Sequence, residues 1–263
     1  MLSLPALQLF FPCFIFHERT VRPVAREVRT ILLVDNSATT LFYWGMLLKR
    51  LEYKVVSKRN VAEALKALES DRPAIVLTEV ALSGTDGIAL LKEIKGDPRF
   101  KDIPVVMLTS VTDPAVKAAC ERLGCAAWFG KDVEPDMLYQ KLQALIESTP
   151  RQHIRLCTSI KVIVGDGTAM GGSTRTEYAS AISEGGLYVR TQYPQPQNAL
   201  TPVRIVLEGG EVRAKAVVLY SYAKNEGPYK EPGMGLKFVE ISDRDRGLIR
   251  QFIKDNLIRG IAH

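Results

Sequence analysis

Five short apolar runs, each followed by a segment with helical periodicity, constrain the fold of residues 29–148. The runs lack regular polar alternation, which is typical of strands that are buried on both faces of a parallel sheet. We predict these strands at 31–34, 54–57, 74–77, 104–108 and 127–129. Such repeats predict a doubly wound sheet with right-handed crossovers, whose functional edge is formed by the carboxyl ends of the strands.

Helix-start signals between the runs agree with this prediction. Asn60 and Glu63 have the spacing of a capping box, and Asp113 precedes Pro114 as a cap precedes a first-turn proline. A last helix is predicted from near Pro135. The first half of the chain is therefore predicted to have a flavodoxin-like α/β fold.

Polar side chains follow four of the predicted strands. They are Asp35, Asn36, Glu79, Thr109 and Lys131. Carboxylate and amide oxygens suit a hard divalent cation, whereas a hydroxyl and an ammonium group suit a phosphoryl oxygen. Strand ends are polar in any fold of this class, so the set is more informative than any single member.

Beyond residue 148, helical spacing gives way to short alternating runs separated by glycine and proline turns. We predict strands within 160–164, 185–191, 201–210, 212–222 and 233–241. This spacing predicts a small antiparallel barrel, followed by a helix that begins at Ser242 or Asp243. The chain is thus divided into an α/β domain at 29–148 and an all-β barrel domain with a C-terminal helix at 149–263.

Composition limits the classes of partner. With 263 residues, of which 46% are hydrophobic, the chain is large enough for two cores. The net charge of +6 suits an anionic partner, but it is spread too evenly for a nucleic-acid-binding arm. Four cysteines without a Cys-x-x-Cys pair indicate neither a zinc site nor a disulfide framework. We therefore expect reduced thiols, a cytoplasmic location and no nucleic-acid partner.

Residues 1–28 are left out of the predicted fold. The apolar opening, residues 1–16, is shorter than a bilayer span, contains prolines and lacks the basic start of a secretory signal. We expect a disordered leader or an over-extended translation start, and no membrane span.

Residues 30–148 resemble a response-regulator receiver domain. The resemblance is carried by "ILLVDN", "EVALSGTDG", "IPVVMLTS" and "WFGKD". It implies that Asp35 is the acid of a metal site and that Glu79 occupies the phospho-acceptor position. It further implies that Thr109 and Lys131 contact the phosphoryl group and that Trp128 lies at the aromatic switch position. A large residue that packs at the sheet edge is the other interpretation of Trp128.

Four residues depart from the receiver pattern, namely Asn36, Glu79, Ser83 and Asp132. Receivers usually have a second acid, an aspartate acceptor, an acceptor-loop proline and a Lys-Pro step at these places. The implied metal ligands Asp35, Asn36 and Glu79 should bind Mg²⁺ weakly, because asparagine removes one negative charge. No cofactor is expected to be required.

The extra methylene of Glu79 leads to two hypotheses. In the first, the receiver is not phosphorylated in the ordinary way, because the carboxylate is displaced from the position needed for in-line transfer. The carboxylate then lies toward Thr109 and Lys131 and imitates part of the phosphorylated state with one charge. In the second, the domain is retained only for packing or dimerisation.

Two features of the second half are chemically suggestive. Arg151 and Arg155 provide paired guanidinium groups that match phosphate oxygens or guanine edges. Ser183 and Gly186 lie in a predicted turn, "AISEGG". Taken singly, the two features are also typical of solvated arginines on a linker and of an ordinary tight turn.

Together with "PGMGLKFVEIS", these residues resemble the PilZ domain, a family of bacterial cyclic di-GMP receptors, over roughly 149–262. The resemblance implies that Arg151 and Arg155 capture phosphate and guanine, that Ser183 donates a hydrogen bond, and that Gly186 leaves room. Ala181 stands where the family has an acid or amide. The lost hydrogen bond should cost about 1–3 kcal/mol, which weakens binding without abolishing it.

Two functions therefore remain open at the level of sequence. The first is a signalling regulator that binds cyclic di-GMP and relays this state by rearranging its domains. The second is a ligand-independent scaffold in which both sites are degenerate. An enzyme is not expected, because no nucleophile with a nearby base, metal cluster or glycine-rich phosphate loop is present. A protein partner remains unidentified, and a homodimer remains open.

Overall fold

The computed structural model describes residues 27–82, 84, 86–168, 171–226 and 231–261. The predicted leader lies outside this range except for its last two residues, 27 and 28, and so does Ser83. No helix in the described part of the chain is long and apolar enough to cross a membrane.

The first half forms a five-stranded parallel sheet with the order β2-β1-β3-β4-β5. We call it the α/β unit. Its elements are β1 (Thr30–Val34), α1 (Ala38–Arg50), β2 (Lys54–Lys58), α2 (Val61–Asp71), β3 (Ile75–Thr78), α3 (Gly87–Gly96), β4 (Val105–Thr109), α4 (Pro114–Arg122), β5 (Ala127–Gly130) and α5 (Pro135–Ile146).

Residues along β1 alternate between two cores, one on each face of the sheet. Ile31 and Leu33 pack with buried residues of α1 and α5. Leu32 and Val34 pack with α2, α3 and α4 on the opposite face. Both faces of the strand are therefore buried away from water, which explains why its sequence is apolar without polar alternation. The predicted flavodoxin-like fold is confirmed.

The second half is a closed antiparallel barrel with the order β10-β11-β8-β7-β6-β9, which we call the barrel unit. Its elements are β6 (Leu156–Val164), β7 (Arg175–Ser183), β8 (Gly186–Arg190), β9 (Leu200–Leu207), β10 (Gly210–Tyr222), β11 (Gly233–Ile241) and α6 (Asp243–Ile258). Ser242 caps α6 by accepting a hydrogen bond from the Asp245 N–H. The predicted barrel with a C-terminal helix is confirmed, while β7 was not among the predicted strands.

The two units share one continuous apolar core. Ile154, in the connecting segment, is buried with Ile253 and Leu257 of α6 and with the α1 and α5 face of the sheet. Lys254 of α6 forms a 3.0 Å ion pair with Glu134, at the start of α5. Domains joined by few residues move relative to one another unless a large apolar interface joins them, and here the shared core holds the units together.

Arg50 adds a polar contact between the units. Its guanidinium, at the end of α1, donates hydrogen bonds to the carbonyl groups of the last turn of α6. The acceptors are Asn256 (3.0 Å), Leu257 (2.6 Å) and Arg259 (2.8 Å). Carbonyl groups at a helix C-terminus lack intrahelical donors, so Arg50 caps α6 from the other unit.

Candidate functional site

The ends of β1, β3 and β5 bring two carboxylates and one ammonium group together. Lys131 Nζ lies 2.6 Å from Asp35 Oδ2 and 2.6 Å from Glu79 Oε2. Asp35 and Glu79 are only 2% and 3% exposed. The parallel topology produces this convergence, since all three residues follow strands that end at the same edge.

The Glu79 carboxylate is surrounded by hydrogen-bond donors. Its Oε1 accepts from the Thr109 hydroxyl and from the N–H groups of Val80 (2.7 Å) and Ala81 (3.2 Å). Its Oε2 accepts from the Ser110 N–H at 3.3 Å, in addition to the Lys131 contact. The carboxylate therefore lies toward Thr109 and Lys131, the geometry required by the imitation hypothesis.

These contacts keep the pair charged although it is buried. Burial raises the pKa of Glu79, but hydrogen bonds from Lys131, Thr109 and the Ala81 N–H outweigh it and leave that pKa below its ordinary value. Burial lowers the pKa of Lys131, but Asp35 and Glu79 outweigh it and leave that pKa raised. An internal ion pair is thus maintained around neutral pH.

Gly87 allows the loop that carries Glu79 to close on α3. The Gly87 N–H donates to the Val80 carbonyl at 2.7 Å. A Cβ atom at this position would collide with the Glu79 carbonyl oxygen. The glycine is therefore needed for the close approach that fixes Glu79 at the strand end.

The implied Mg²⁺ ligands do not fit a divalent cation in this arrangement. Asp35 Oδ1 accepts from the Ser37 N–H at 2.8 Å, and Oδ2 is paired with Lys131. Asn36 is exposed, and Glu79 already has donors on both oxygens. Within the described residues, no group of three or more His, Cys, Asp or Glu side chains is placed to hold a metal ion. The Lys131 ammonium supplies the positive charge between the carboxylates.

Trp128 is half-buried on β5, directly opposite Met107 of β4. It packs against the core formed by α2, α3 and α4. This position is compatible with core packing and with the switch role implied by the resemblance, so both interpretations remain open.

A second candidate site is a concavity of about 140 Å³ on the barrel unit. Arg155, Ser183 and Gly186 all line it, together with Lys237 and Tyr220. The Ser183 hydroxyl donates to the Gly186 carbonyl at 3.1 Å, across the β7–β8 turn. Three of the four predicted ligand-binding residues therefore face one site.

Arg151 lies elsewhere. Its guanidinium forms a 2.8 Å ion pair with Glu52, which follows α1. Its backbone N–H donates at 2.9 Å to Oε1 of Gln143, a buried residue of α5. The expectation that Arg151 and Arg155 point into one concavity is therefore not met, since Arg151 docks on the α/β unit instead.

Two arginines of α6 hold the turn of the second site. Arg246 donates to the Glu184 carbonyl at 2.8 Å, and Arg250 forms a 2.7 Å ion pair with the Glu184 carboxylate. Glu184 lies between Ser183 and Gly186. The helix thus fixes the turn in place, and the spacing of four between the arginines is the sequence signal that could have indicated this.

Comparison with known proteins assigns both units. Residues 31–143 match the family model of the response regulator receiver domain, and residues 147–255 match that of the PilZ domain. The chain is a receiver domain followed by a PilZ domain. Both are regulatory domains, and the receiver places the chain among two-component signal-transduction proteins.

Two curated relatives match the receiver half of the chain. The phosphate regulon transcriptional regulatory protein PhoB of Pseudomonas aeruginosa is 28% identical over 46% of this chain and 53% of its own. The response regulator Rre1 of Synechocystis is 31% identical over 44% of this chain and 50% of its own. This chain thus spans about half the length of these relatives.

Among solved structures, the signal receiver domain of a signal transduction histidine kinase from Syntrophus aciditrophicus is 27% identical. It aligns with a TM-score of 0.44 over 47% of this chain and 94% of its own.

Sequence reasoning missed three residues around the PilZ concavity and its linker. Glu52 and Tyr220 lie outside the quoted motifs, and Lys237 lies within "PGMGLKFVEIS" but was not assigned a role. Glu52 has a left-handed backbone with φ of 68°, a conformation that costs most residues about 1–2 kcal/mol relative to glycine. Its role as the partner of Arg151 depends on how the domains dock, which local patterns do not specify.

Proposed function

We propose that this chain is a bacterial regulator whose PilZ domain binds cyclic di-GMP and relays binding by rearranging the two domains. Its receiver domain, on this proposal, is not phosphorylated in the ordinary way. The observation that carries the proposal is the division of the two motif arginines, with Arg155 in the ligand concavity and Arg151 on the receiver.

The charge of the concavity suits a dianionic ligand. Arg155 and Lys237 are both at its lining, and Ser183 offers a hydroxyl beside them. The volume of about 140 Å³ is below the roughly 300–1,000 Å³ of typical ligand pockets. A dinucleotide would therefore need a further wall, which the linker supplies when Arg151 swings from the receiver to the ligand.

Glu52 competes with the ligand for Arg151. As long as the ion pair is intact, the linker is attached to the receiver by its side chain and, through Gln143, by its backbone. A ligand phosphate that pairs with the Arg151 guanidinium breaks the ion pair between Arg151 and Glu52. Ligand binding and release of the receiver are then linked, and the coupling works in both directions.

Titration calorimetry of the full chain with cyclic di-GMP tests the proposal. We expect saturable binding that is lost in Arg155→Ala and in Arg151→Ala. Arg213→Ala is the matched control, because this arginine is 76% exposed on the barrel and lies outside the concavity. Absence of binding to the unmutated protein at high ligand concentration would end the proposal.

Glu52→Gln tests the competition directly. The pair is partly exposed, so its loss is worth about 1 kcal/mol and should increase the affinity for cyclic di-GMP about fivefold. Glu211→Gln, which removes the same charge from a surface pair with Arg213, should leave the affinity unchanged. Equal affinities for Glu52→Gln and the unmutated protein would contradict the competition.

The receiver half is tested with a small phosphodonor and intact mass spectrometry. The unmutated protein should show no stable acyl-phosphate, because the Glu79 carboxylate is paired with Lys131 and its extra methylene should displace it from the position needed for in-line transfer. Glu79→Asp shortens the side chain, and any adduct should appear in that variant only. An adduct on Glu79 itself would overturn this part.

A ligand-independent scaffold is the second candidate function. It is favoured by Ala181, which removes one ligand contact, and by the core shared between the domains. In that case an unidentified protein partner or a second copy would bind the outer surfaces without cyclic di-GMP. The calorimetric titration separates the two functions. Cytoplasmic location stays a prediction under either.

A further inference from the structure

The concavity has an aromatic wall that the motif residues do not include. Ala181 of β7 pairs with Tyr188 of β8, Tyr188 pairs with Gly235 of β11, and Gly235 pairs with Tyr220 of β10. Side chains of directly paired residues lie on the same face of a sheet, so these four positions form one row. Ser183, two residues after Ala181, lies on the same face in the next row.

Tyr220 is the accessible ring of this row. It lies over Gly235, where a Cβ atom would collide with it, and its centroid is 6.4 Å from that of Tyr188 at an interplanar angle of 26°. Tyr188 is 3% exposed, and its hydroxyl donates to the Glu231 carbonyl at 3.0 Å. Tyr220 is half-buried and lines the concavity. The buried ring thus supports the accessible one.

Ala181 is covered by these rings. It is 2% exposed and clusters with Tyr188, Tyr222 and Tyr220. An acid or amide at this position would have to enter the aromatic cluster, where a polar group without a partner is costly. At Ala181, beside Ser183, the surface therefore presents the face of an aromatic ring to a nucleotide base. It does not present a side chain that could form a hydrogen bond with the edge of the base.

We propose that Tyr220 is a base-stacking residue, on which one purine of the dinucleotide lies while its phosphate faces Arg155 and Lys237. The inference rests on the proposed binding of cyclic di-GMP. Stacking of a base on an aromatic side chain is worth about 1–3 kcal/mol, or roughly fivefold to 150-fold in affinity. A lost hydrogen bond to a buried group costs a similar amount, so stacking offsets the contact that Ala181 cannot make.

Calorimetry of full-length variants with cyclic di-GMP tests this assignment. Tyr220→Leu keeps apolar packing over Gly235 but removes the π face, and should weaken binding about fivefold to 150-fold. Tyr220→Trp should bind at least as tightly as the unmutated protein. Tyr193→Leu is the control, because Tyr193 is 69% exposed in the connection between β8 and β9, outside the concavity. Thermal melts establish that each variant is folded.

A second readout applies even if Tyr220→Leu fails to fold. The emission of Tyr220→Trp, after subtraction of the parent protein's tryptophan signal, should be quenched saturably by cyclic di-GMP. Tyr193→Trp should show no such change. Absence of quenching, or unweakened binding by folded Tyr220→Leu, overturns the stacking role. If the unmutated protein itself does not bind, the proposed function fails instead.

Discussion

Glu79 spans three strands of the receiver with a single side chain. From the end of β3 it contacts Thr109 at the end of β4 and Lys131 after β5. A phosphorylated aspartate would carry nearly two charges here, whereas Glu79 carries one. The Thr109 hydroxyl and the Lys131 ammonium group both contact this one carboxylate, and the imitation of a phosphorylated state stays a prediction.

The first prediction concerns the pH dependence that this ion pair creates. Because the folded pKa of Glu79 lies below the unfolded value of about 4.3, its stabilisation is present above that pH. It is lost as the pH falls through the lower folded pKa. Glu79→Gln should reduce the free energy of unfolding by about 1–3 kcal/mol at pH 7, and the difference should shrink in acid.

Urea unfolding of both proteins at several pH values between 3 and 8 measures this effect. Lys131 does not contribute to this pH dependence. Because its folded pKa is raised, its stabilising contribution is present throughout this pH range and is lost only in alkaline solution. Parallel stability curves for Glu79→Gln and the unmutated protein would show that the carboxylate is not stabilising as a charge.

Single residues also show what the sequence could predict. The strand-end cluster was predictable, because parallel strands necessarily bring Asp35, Glu79 and Lys131 to one edge. The Arg151–Glu52 pair joins residues 99 positions apart and exists only through the docking of two domains. Periodicity contains no information about such docking. The sequence therefore could not indicate that Arg151 lies on the receiver while Arg155 lines the concavity.

Among the elements, the pairing of β8 with β11 determines why Gly186 is a glycine. A Cβ atom there would collide with the Leu236 carbonyl of β11. The resemblance explained this glycine by room for a ligand, but strand pairing alone requires it. The presence of a glycine at position 186 is therefore weaker evidence for ligand binding than Arg155 or Ser183.

The second prediction follows from this contact. Gly186→Ala should destabilise the barrel by about 1–3 kcal/mol, because the β8–β11 ladder must shift to accept the methyl group. Gly247→Ala is the matched control, since a Cβ on this α6 residue would meet nothing within 4 Å. That variant should be neutral or stabilising by up to about 1 kcal/mol. Chemical denaturation of both variants gives the comparison, and an unchanged midpoint for Gly186→Ala would contradict the steric account.

The strand β7 shows a limit of pattern reading at the level of elements. Its first four residues, Arg175, Thr176, Glu177 and Tyr178, contain no buried side chain. An apolar run therefore begins only near its end, and only its last three residues, 181–183, were interpreted, as the start of the turn "AISEGG". Barrel closure supplies partners for β7 on both sides and makes it a nine-residue strand.

At the scale of the whole molecule, the domains are attached by polar contacts around a shared apolar centre. Arg50 of the receiver caps α6, and Lys254 of α6 forms an ion pair with Glu134 of the receiver. The relay proposed above therefore requires a defined contact to break, since the default arrangement is docked.

The third prediction concerns Arg50. Arg50→Ala removes the guanidinium bonds to two α6 carbonyls and to that of Arg259, the residue after α6, and should accelerate backbone hydrogen exchange in the last turn of α6. Lys49→Ala, one residue earlier and exposed, removes the same charge without these bonds. Exchange measured by mass spectrometry on both variants provides the test. Equal exchange in this turn for the two variants would argue against the cap.

Helix α6 is attached to the receiver at one end and to the Glu184 turn near the other. Its sixteen residues form a rod about 24 Å long. A tilt of about 5° around the Arg50 end displaces the far end by about 2 Å, enough to break a hydrogen bond. On the proposed function, the helix would therefore act as a lever arm, through which a small rotation of the receiver changes the shape of the barrel concavity.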